Sequence, residues 1–85
     1  MIKSSRINAA IAMCGAEGQI YGIPNKVGEK FGRGLFDLQR ERRNNLIPRF
    51  ESMTYKTMGN LSREDFDAFS SACKDAIARV FNEQN

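Results

Sequence analysis

The sequence contains no histidine and no tryptophan among its 85 residues, and its two cysteines lie far apart in the chain. Histidine is a common general base and the commonest metal ligand. Without it, a four-ligand zinc site would need Cys14, Cys73 and two carboxylates, which is an unusual set. There is also no nucleophile elbow, and the glycines at 32 and 34 lack the strand that precedes a dinucleotide loop. We therefore expect no catalytic activity, no metal and no cofactor.

Long apolar runs are missing as well. Nothing approaches the stretch of about 20 apolar residues that crosses a membrane, and the apolar segment at residues 9–14 is too short for a secretory signal. We expect a cytoplasmic protein that makes no contact with a membrane. In that compartment Cys14 and Cys73, which occupy apolar helical positions, are predicted to be buried free thiols. A disulfide between them is the alternative.

Four segments show the spacing of three or four residues between apolar positions that is typical of amphipathic helices. These positions are Ile7, Ile11 and Cys14; Val27, Phe31, Leu35 and Leu38; Leu46, Phe50 and Met53; and Phe66, Phe69, Cys73, Ile77 and Val80. We predict an all-α fold, a small bundle of three to four helices forming a single helical domain over residues 1–85. A short irregular connector is expected near residues 16–24, which contain two glycines and a proline.

Residues that favour helix ends set the predicted boundaries. Gly15 is the expected end of the first helix and Gly59 that of the third, where a left-handed backbone favours glycine. Asn25 is the expected N-cap of the second helix and Asn44 or Asn45 that of the third. Ser62, with an acidic residue three positions later, is the expected start of the last helix. Three glycines within the second helix lower its intrinsic stability by about 1 kcal/mol each, so either packing holds the helix or a second backbone approaches it closely at the glycines.

Positive charge is concentrated in the first part of the chain. Residues 1–50 carry nine Lys and Arg against four Asp and Glu, a net charge of +5, whereas residues 51–85 carry four against six, a net charge of −2. This asymmetry favours an anionic partner for the first part, or head-to-tail association into a homodimer. Arg42 is the unusual cation, since it falls where the apolar stripe of the second helix would continue. It is either an exposed helix end, a binding residue or half of a buried ion pair.

The function predicted from these observations is that of a small non-catalytic binding protein that modulates or inhibits a larger protein through an Arg-rich helical surface. An enzyme or regulator that acts on nucleic acid is one such partner. The alternative is direct binding of DNA or RNA by the basic stripe of the central helix, through contacts with phosphates. Arginine and aromatic residues are favoured at interface centres. The candidate partner-binding residues are Lys30, Arg33, Arg40, Arg42, Arg43, Arg49 and Tyr55.

One segment resembles a known family. Residues 61–80 are similar in rhythm to the last long helix of the Hha/YmoA family of small nucleoid-associated modulators. The similarity rests on Leu61, Ser62, Phe69, Ser71, Ala72 and Ala78, and it covers about a quarter of the chain. It implies a regulatory binding role.

Overall fold

Helices occupy most of residues 2–82, which are the residues that the computed structural model describes. Helix α1 spans Ser4–Ile20, α2 spans Asn25–Arg40, α3 spans Ile47–Thr57 and α4 spans Arg63–Asn82. A single 3₁₀ turn, Asn44–Leu46, precedes α3. This range contains no β-strand, so the predicted all-α fold of three to four helices is confirmed.

The core lies between α1, α2 and α4. Its centre is formed by Phe31 of α2 with Phe66 and Phe69 of α4, whose rings lie 5.9 and 5.2 Å from that of Phe31. The predicted apolar stripe of α4 is buried from Phe66 to Val80. Each fully buried phenylalanine contributes roughly 1.5–3 kcal/mol through removal of its apolar surface from water. These three helices therefore supply most of the burial that stabilises the fold.

Helices α1 and α2 approach each other closely through glycine, which is one of the two explanations that the sequence left open. A Cβ atom on Gly28 would lie 2.7 Å from the carbonyl oxygen of Cys14, and one on Gly32 would lie 2.7 Å from the sulfur of the same residue. Both glycines are buried. A side chain at either position would force the two helices apart, so the close approach requires residues without a Cβ.

The connector between α1 and α2 is shorter than the predicted residues 16–24. Helix α1 does not end at Gly15 but continues to Ile20, and the irregular segment covers only residues 21–24. Gly22 takes the left-handed φ of 83° instead. The amide of Ile23 donates to the carbonyl of Gly18, and that of Gly22 to Gln19. These two bonds form a Schellman motif, and the buried side chain of Ile23 closes it against Gly18.

The end of α2 repeats this motif with arginine in place of glycine. Arg42 has a φ of 59°, its amide donates to Gln39, and the amide of Arg43 donates to Leu38. Arg42 is exposed, so the reading in which it forms a buried ion pair is wrong and the reading of an exposed helix end is confirmed. The left-handed region is costly for a residue with a Cβ, which places backbone strain at this junction.

Helix α3 differs from the others because it has no fully buried residue. Its start is not capped by Asn44 or Asn45; the cap position is Leu46, with Pro48 in the first turn. Gly59 follows its end with a φ of 69°, as predicted.

Met53, expected on the inner face, is instead 59% exposed. Helix α3 is held to α4 by Glu51, which accepts a hydrogen bond of 2.6 Å from Ser70 and pairs with Lys74 at 3.1 Å.

Three smaller expectations concern side chains at helix ends and in the core. The hydroxyl of Ser62 accepts a bond from the amide of Asp65, so the predicted cap of α4 is present. Asn25 is the first residue of α2 and not its cap, and its side chain donates to Glu29. Cys14 and Cys73 are buried free thiols, as predicted. Cys73 donates to Cys14 and is withdrawn from water, and both effects raise the pKa of Cys73 above its ordinary value.

Candidate functional site: an apolar groove with basic rims

A groove of about 350 Å³ runs between α2 and α3 on the outer face of the molecule. Its floor is formed by Phe31 and Phe50, whose rings are stacked with centroids 5.3 Å apart. Gly34 allows this arrangement, since a Cβ at that position would collide with the ring of Phe50. Val27 stands on the α2 side and Met53 on the α3 side, and these side chains are 41% and 59% exposed. The groove is therefore an apolar surface that remains in contact with water.

Cationic side chains follow both edges of this groove. On α2, Lys26, Lys30 and Arg33 are spaced by four and three residues, and Lys30 itself lines the groove. On α3, Arg49 and Lys56 lie four residues before and three residues after Met53. Residues at these spacings share one stripe of a helix, so each stripe forms one rim of the groove. We call the two stripes the α2 rim and the α3 rim.

Two acidic residues of these helices point away from the groove, whereas Asp37 follows Arg33 by four residues on the α2 stripe and contacts Arg40 at 3.2 Å. Glu29 of α2 lies toward α1, where a Cβ on Gly15 would come within 2.9 Å of its side chain. Glu51 of α3 lies toward α4, where it is bound to Ser70 and Lys74. The pairs Glu29–Arg33 and Arg33–Asp37, which the spacing of an exposed helix would favour, are not formed in the described residues. Among the described residues that line the groove, Lys30 is charged and none is acidic, so the charge of the lining is positive.

The remaining predicted arginines lie beyond the groove, at the end of α2. Arg40 contacts Asp37 at 3.2 Å and Glu41 at 3.9 Å, and Arg43 contacts Glu41 at 3.8 Å. The side chains of Arg40 and Arg43 are 57% and 58% exposed, and those of Asp37 and Glu41 are 40% and 49% exposed. Exposed ion pairs of this kind contribute only about 0–1 kcal/mol, so they do not fix the guanidinium groups in place. Together with exposed Arg42, they form a second basic cluster at the junction of α2 with the 3₁₀ turn.

Tyr55 is placed apart from the predicted arginines. It is half-buried on the side of α3 that faces α4, with its ring 5.2 Å from that of Phe66. The guanidinium group of Arg63 lies 4.9 Å above the Tyr55 ring and covers it. The structure therefore brings Lys30, Arg33 and Arg49 to one groove, but it leaves Tyr55 in the contact that holds α3 to the core.

The sequence did not identify Lys26, Val27, Met53 and Lys56 as members of one surface. Val27 and Met53 were assigned to inner faces because each lies three or four residues from the next apolar position, Phe31 for Val27 and Phe50 for Met53. The sequence contained one usable signal, a cation three residues after each of these positions, Lys30 after Val27 and Lys56 after Met53. Recognising a groove also required knowing that α2 and α3 lie side by side, which no local pattern reveals.

Comparison of the chain with family models, curated proteins and solved structures gave no match. The similarity of residues 61–80 to the Hha/YmoA helix is therefore without support from a family model. Within residues 2–82, no helix combines the length and the hydropathy needed to cross a bilayer, and no cluster of His, Cys, Asp and Glu is arranged to hold a metal ion.

Proposed function

We propose that this chain is a non-catalytic binding protein that modulates or inhibits a larger protein by docking it on the α2–α3 face. The observation that carries the proposal is the groove, in which water-exposed Met53 and Val27 lie between two cationic rims. Of the predicted binding residues, Lys30, Arg33 and Arg49 belong to this face. Arg40, Arg42 and Arg43 extend it at the end of α2.

A protein partner fits this surface because apolar and cationic groups alternate across it. Aromatic residues, methionine and arginine are enriched at the centres of protein interfaces. Exposed apolar surface rimmed by polar groups is a recurrent mark of such sites. Covering Met53 and Val27 would remove their apolar area from water, while the rims would select a partner of negative charge.

Direct binding of DNA or RNA is the alternative, and the same cations favour it. Five phosphate contacts from the two rims would produce a steep loss of affinity with salt, since bound counterions are released. Two features weigh against this alternative. The cations border an apolar groove that phosphates would leave exposed, and a dedicated nucleic-acid domain carries a denser basic patch. We place the protein in the cytoplasm, where the free thiols of Cys14 and Cys73 are kept reduced.

Paired charge reversal tests the proposal. Arg33→Glu with Arg49→Glu changes one cation on each rim, whereas Lys3→Glu with Arg79→Glu makes the same change in net charge at exposed positions on α4 and before α1. Each variant is used to capture proteins from the native host, and the captured proteins are identified by mass spectrometry. We expect one protein that is retained by the wild type and by the control pair, and lost by the rim pair.

Circular dichroism of both variants should show an unchanged helix content, since all four positions are exposed. Retention of the same proteins by the rim pair would contradict the proposal.

The alternative is measured separately by titrating labelled duplex and single-stranded DNA at about 50 mM salt, where a protein that makes several phosphate contacts binds. Binding there that the rim pair abolishes would favour the nucleic-acid function.

A further inference from the structure

We infer that the groove between α2 and α3 accepts an amphipathic α-helix of the partner protein, with apolar residues facing the groove and acidic residues on both flanks. This rests on the proposed function and specifies the chemistry of the partner at the same site. The juxtaposition that leads to it is an apolar floor, Phe31 and Phe50, with Lys30 of the α2 rim lining one side and Met53, which shares the stripe of the α3 rim, lining the other.

The backbone of the groove favours a helix over an extended peptide. An extended segment brings unpaired amides and carbonyls, which must find partners when they are buried. Strand addition supplies those partners from a sheet edge, and residues 2–82 contain no strand. The amides and carbonyls of α2 and α3 are already paired within their own helices. A helical ligand satisfies its own backbone and can therefore be buried against apolar side chains.

The dimensions of the groove set the length of the contact. Its lining spans eight residues of α3, from Phe50 to Thr57. At 1.5 Å per residue this is about 11 Å, or two helical turns. A ligand helix of two to three turns would place apolar residues at positions i, i+3 or i+4, and i+7 over the floor. A second hollow, lined by Tyr21, Pro24 and Met58, shares Val27 and Thr57 with the first and would admit a further turn.

Charge complementarity identifies the flanks of the ligand and argues against a second copy of this chain. Lys30 lines one side of the groove and shares a helical stripe with Lys26 and Arg33, and Met53 lines the other side and shares a stripe with Arg49 and Lys56. Acidic residues on both flanks of a bound helix would face these cations. Two copies that met symmetrically through this face would instead oppose their basic rims, and like charges across an interface are destabilising.

Selection from a library of randomised helical peptides against the full 85-residue chain tests the inference. We expect enrichment of peptides with apolar residues at helical spacing and Glu or Asp on both flanks. The enriched peptide is then compared with a twin in which Lys replaces each acidic residue. By fluorescence anisotropy the twin should bind at least about tenfold more weakly, a difference of 1.4 kcal/mol.

Substitutions at two neighbouring residues distinguish the contribution of the apolar groove to peptide affinity from that of the charge of the surface. Met53→Gln removes apolar area from the groove without altering charge, and Ser52→Gln is the matched control on the outer face of α3. We expect Met53→Gln to weaken the enriched peptide about tenfold, because burying a methionine has roughly that effect on an association constant. Ser52→Gln should leave the affinity within twofold.

Several outcomes would overturn the inference. These are enrichment of no helical peptide, equal binding of the acidic peptide and its Lys twin, and equal effects of Met53→Gln and Ser52→Gln. Sedimentation of the chain alone would also overturn it by showing a dimer that Met53→Gln dissociates, since a second copy would then occupy the groove. If Met53→Gln keeps the partner that Arg33→Glu with Arg49→Glu loses, the proposed function stands and the helix in the groove does not.

Discussion

Helix α3 differs from α1, α2 and α4 in how much of its surface is buried. Helices α1, α2 and α4 share a core in which Phe66, Phe69 and both cysteines are fully buried, and they approach each other through glycine. Helix α3 has no fully buried residue. It is held by half-buried rings such as Tyr55 and by the polar contact of Glu51 with α4.

The difference shows that stability and accessible apolar surface are carried by separate parts of the molecule. The free energy of local unfolding rises with the number of buried contacts that unfolding breaks. A helix with few buried contacts therefore needs little free energy to unfold locally. The same lack of burial leaves Met53 free to contact a partner. The proposed binding face is thus formed where the weakly held helix lies against the firmly held α2.

Phe69→Ala should have the largest effect, because it removes a ring at the centre of the firmly held group. We expect a loss of about 3–5 kcal/mol in the free energy of unfolding, measured by urea denaturation. Met53→Ala on α3 is the control and should cost less than about 1 kcal/mol, since its side chain is 59% exposed. Equal losses for the two variants would mean that α3 belongs to the same core as α4.

Gly28→Ala tests the close approach of α1 and α2. A Cβ at this position would meet the backbone oxygen of Cys14 at 2.7 Å, so the helices must separate. We expect a loss of about 1–3 kcal/mol, even though alanine favours a helix over glycine. Gly34→Ala is the counterpart at the α2–α3 contact. There the obstacle is the ring of Phe50, which can turn aside, and the loss should be smaller.

Glu51→Ala should loosen α3 selectively. It removes the acceptor of the Ser70 hydroxyl and the partner of Lys74, and hydrogen bonds to charged groups contribute about 1.5–3 kcal/mol. Hydrogen exchange should therefore accelerate in the amides of α3, with little change in α1 and α4. Glu64→Ala, at an exposed position in the first turn of α4, should leave exchange in α3 unchanged. Uniform acceleration in all four helices would show that the chain opens only as one unit.

Arg42→Gly concerns the junction between the two parts and should have the smallest effect. Arg42 occupies a φ of 59° that costs a residue with a Cβ about 1–2 kcal/mol. We expect glycine to stabilise the fold by about 1 kcal/mol, seen as a higher midpoint in urea. Arg43→Gly is the control, because its φ of −113° needs no glycine. A loss of stability in Arg42→Gly would mean that the arginine side chain stabilises the junction by more than its backbone strain costs.

The sequence predicted those features that depend on the spacing of apolar residues within one helix. It identified the helical fold and the buried stripe of α4, and it offered a close approach at the glycines of α2 as one of two explanations for them. It misplaced Met53, because the apolar spacing of α3 does not show which side of the helix the core covers. It ended α1 at Gly15 because glycine favours a helix end, whereas the crossing with α2 needs a small residue there and Gly22 provides the left-handed turn.

The candidate site was predicted in part for the same reason. Lys30, Arg33 and Arg49 were singled out as cations, and the structure places them around one groove. Tyr55 was singled out because aromatic residues are favoured at interface centres, but its surroundings depend on Phe66, which lies eleven residues further along the chain. The spacing of residues within one helix does not show which residues of another helix it contacts.

Site-specific crosslinking tests most directly whether the α2–α3 face is the binding surface. A photoreactive phenylalanine analogue replaces Met53 in one variant and Ser71, on the exposed side of α4, in a second. After irradiation in the native host, we expect the Met53 variant to become linked to one larger protein, and the Ser71 variant to remain unlinked. Equal crosslinking from both positions, or crosslinking of the Met53 variant to nucleic acid alone, would contradict the account.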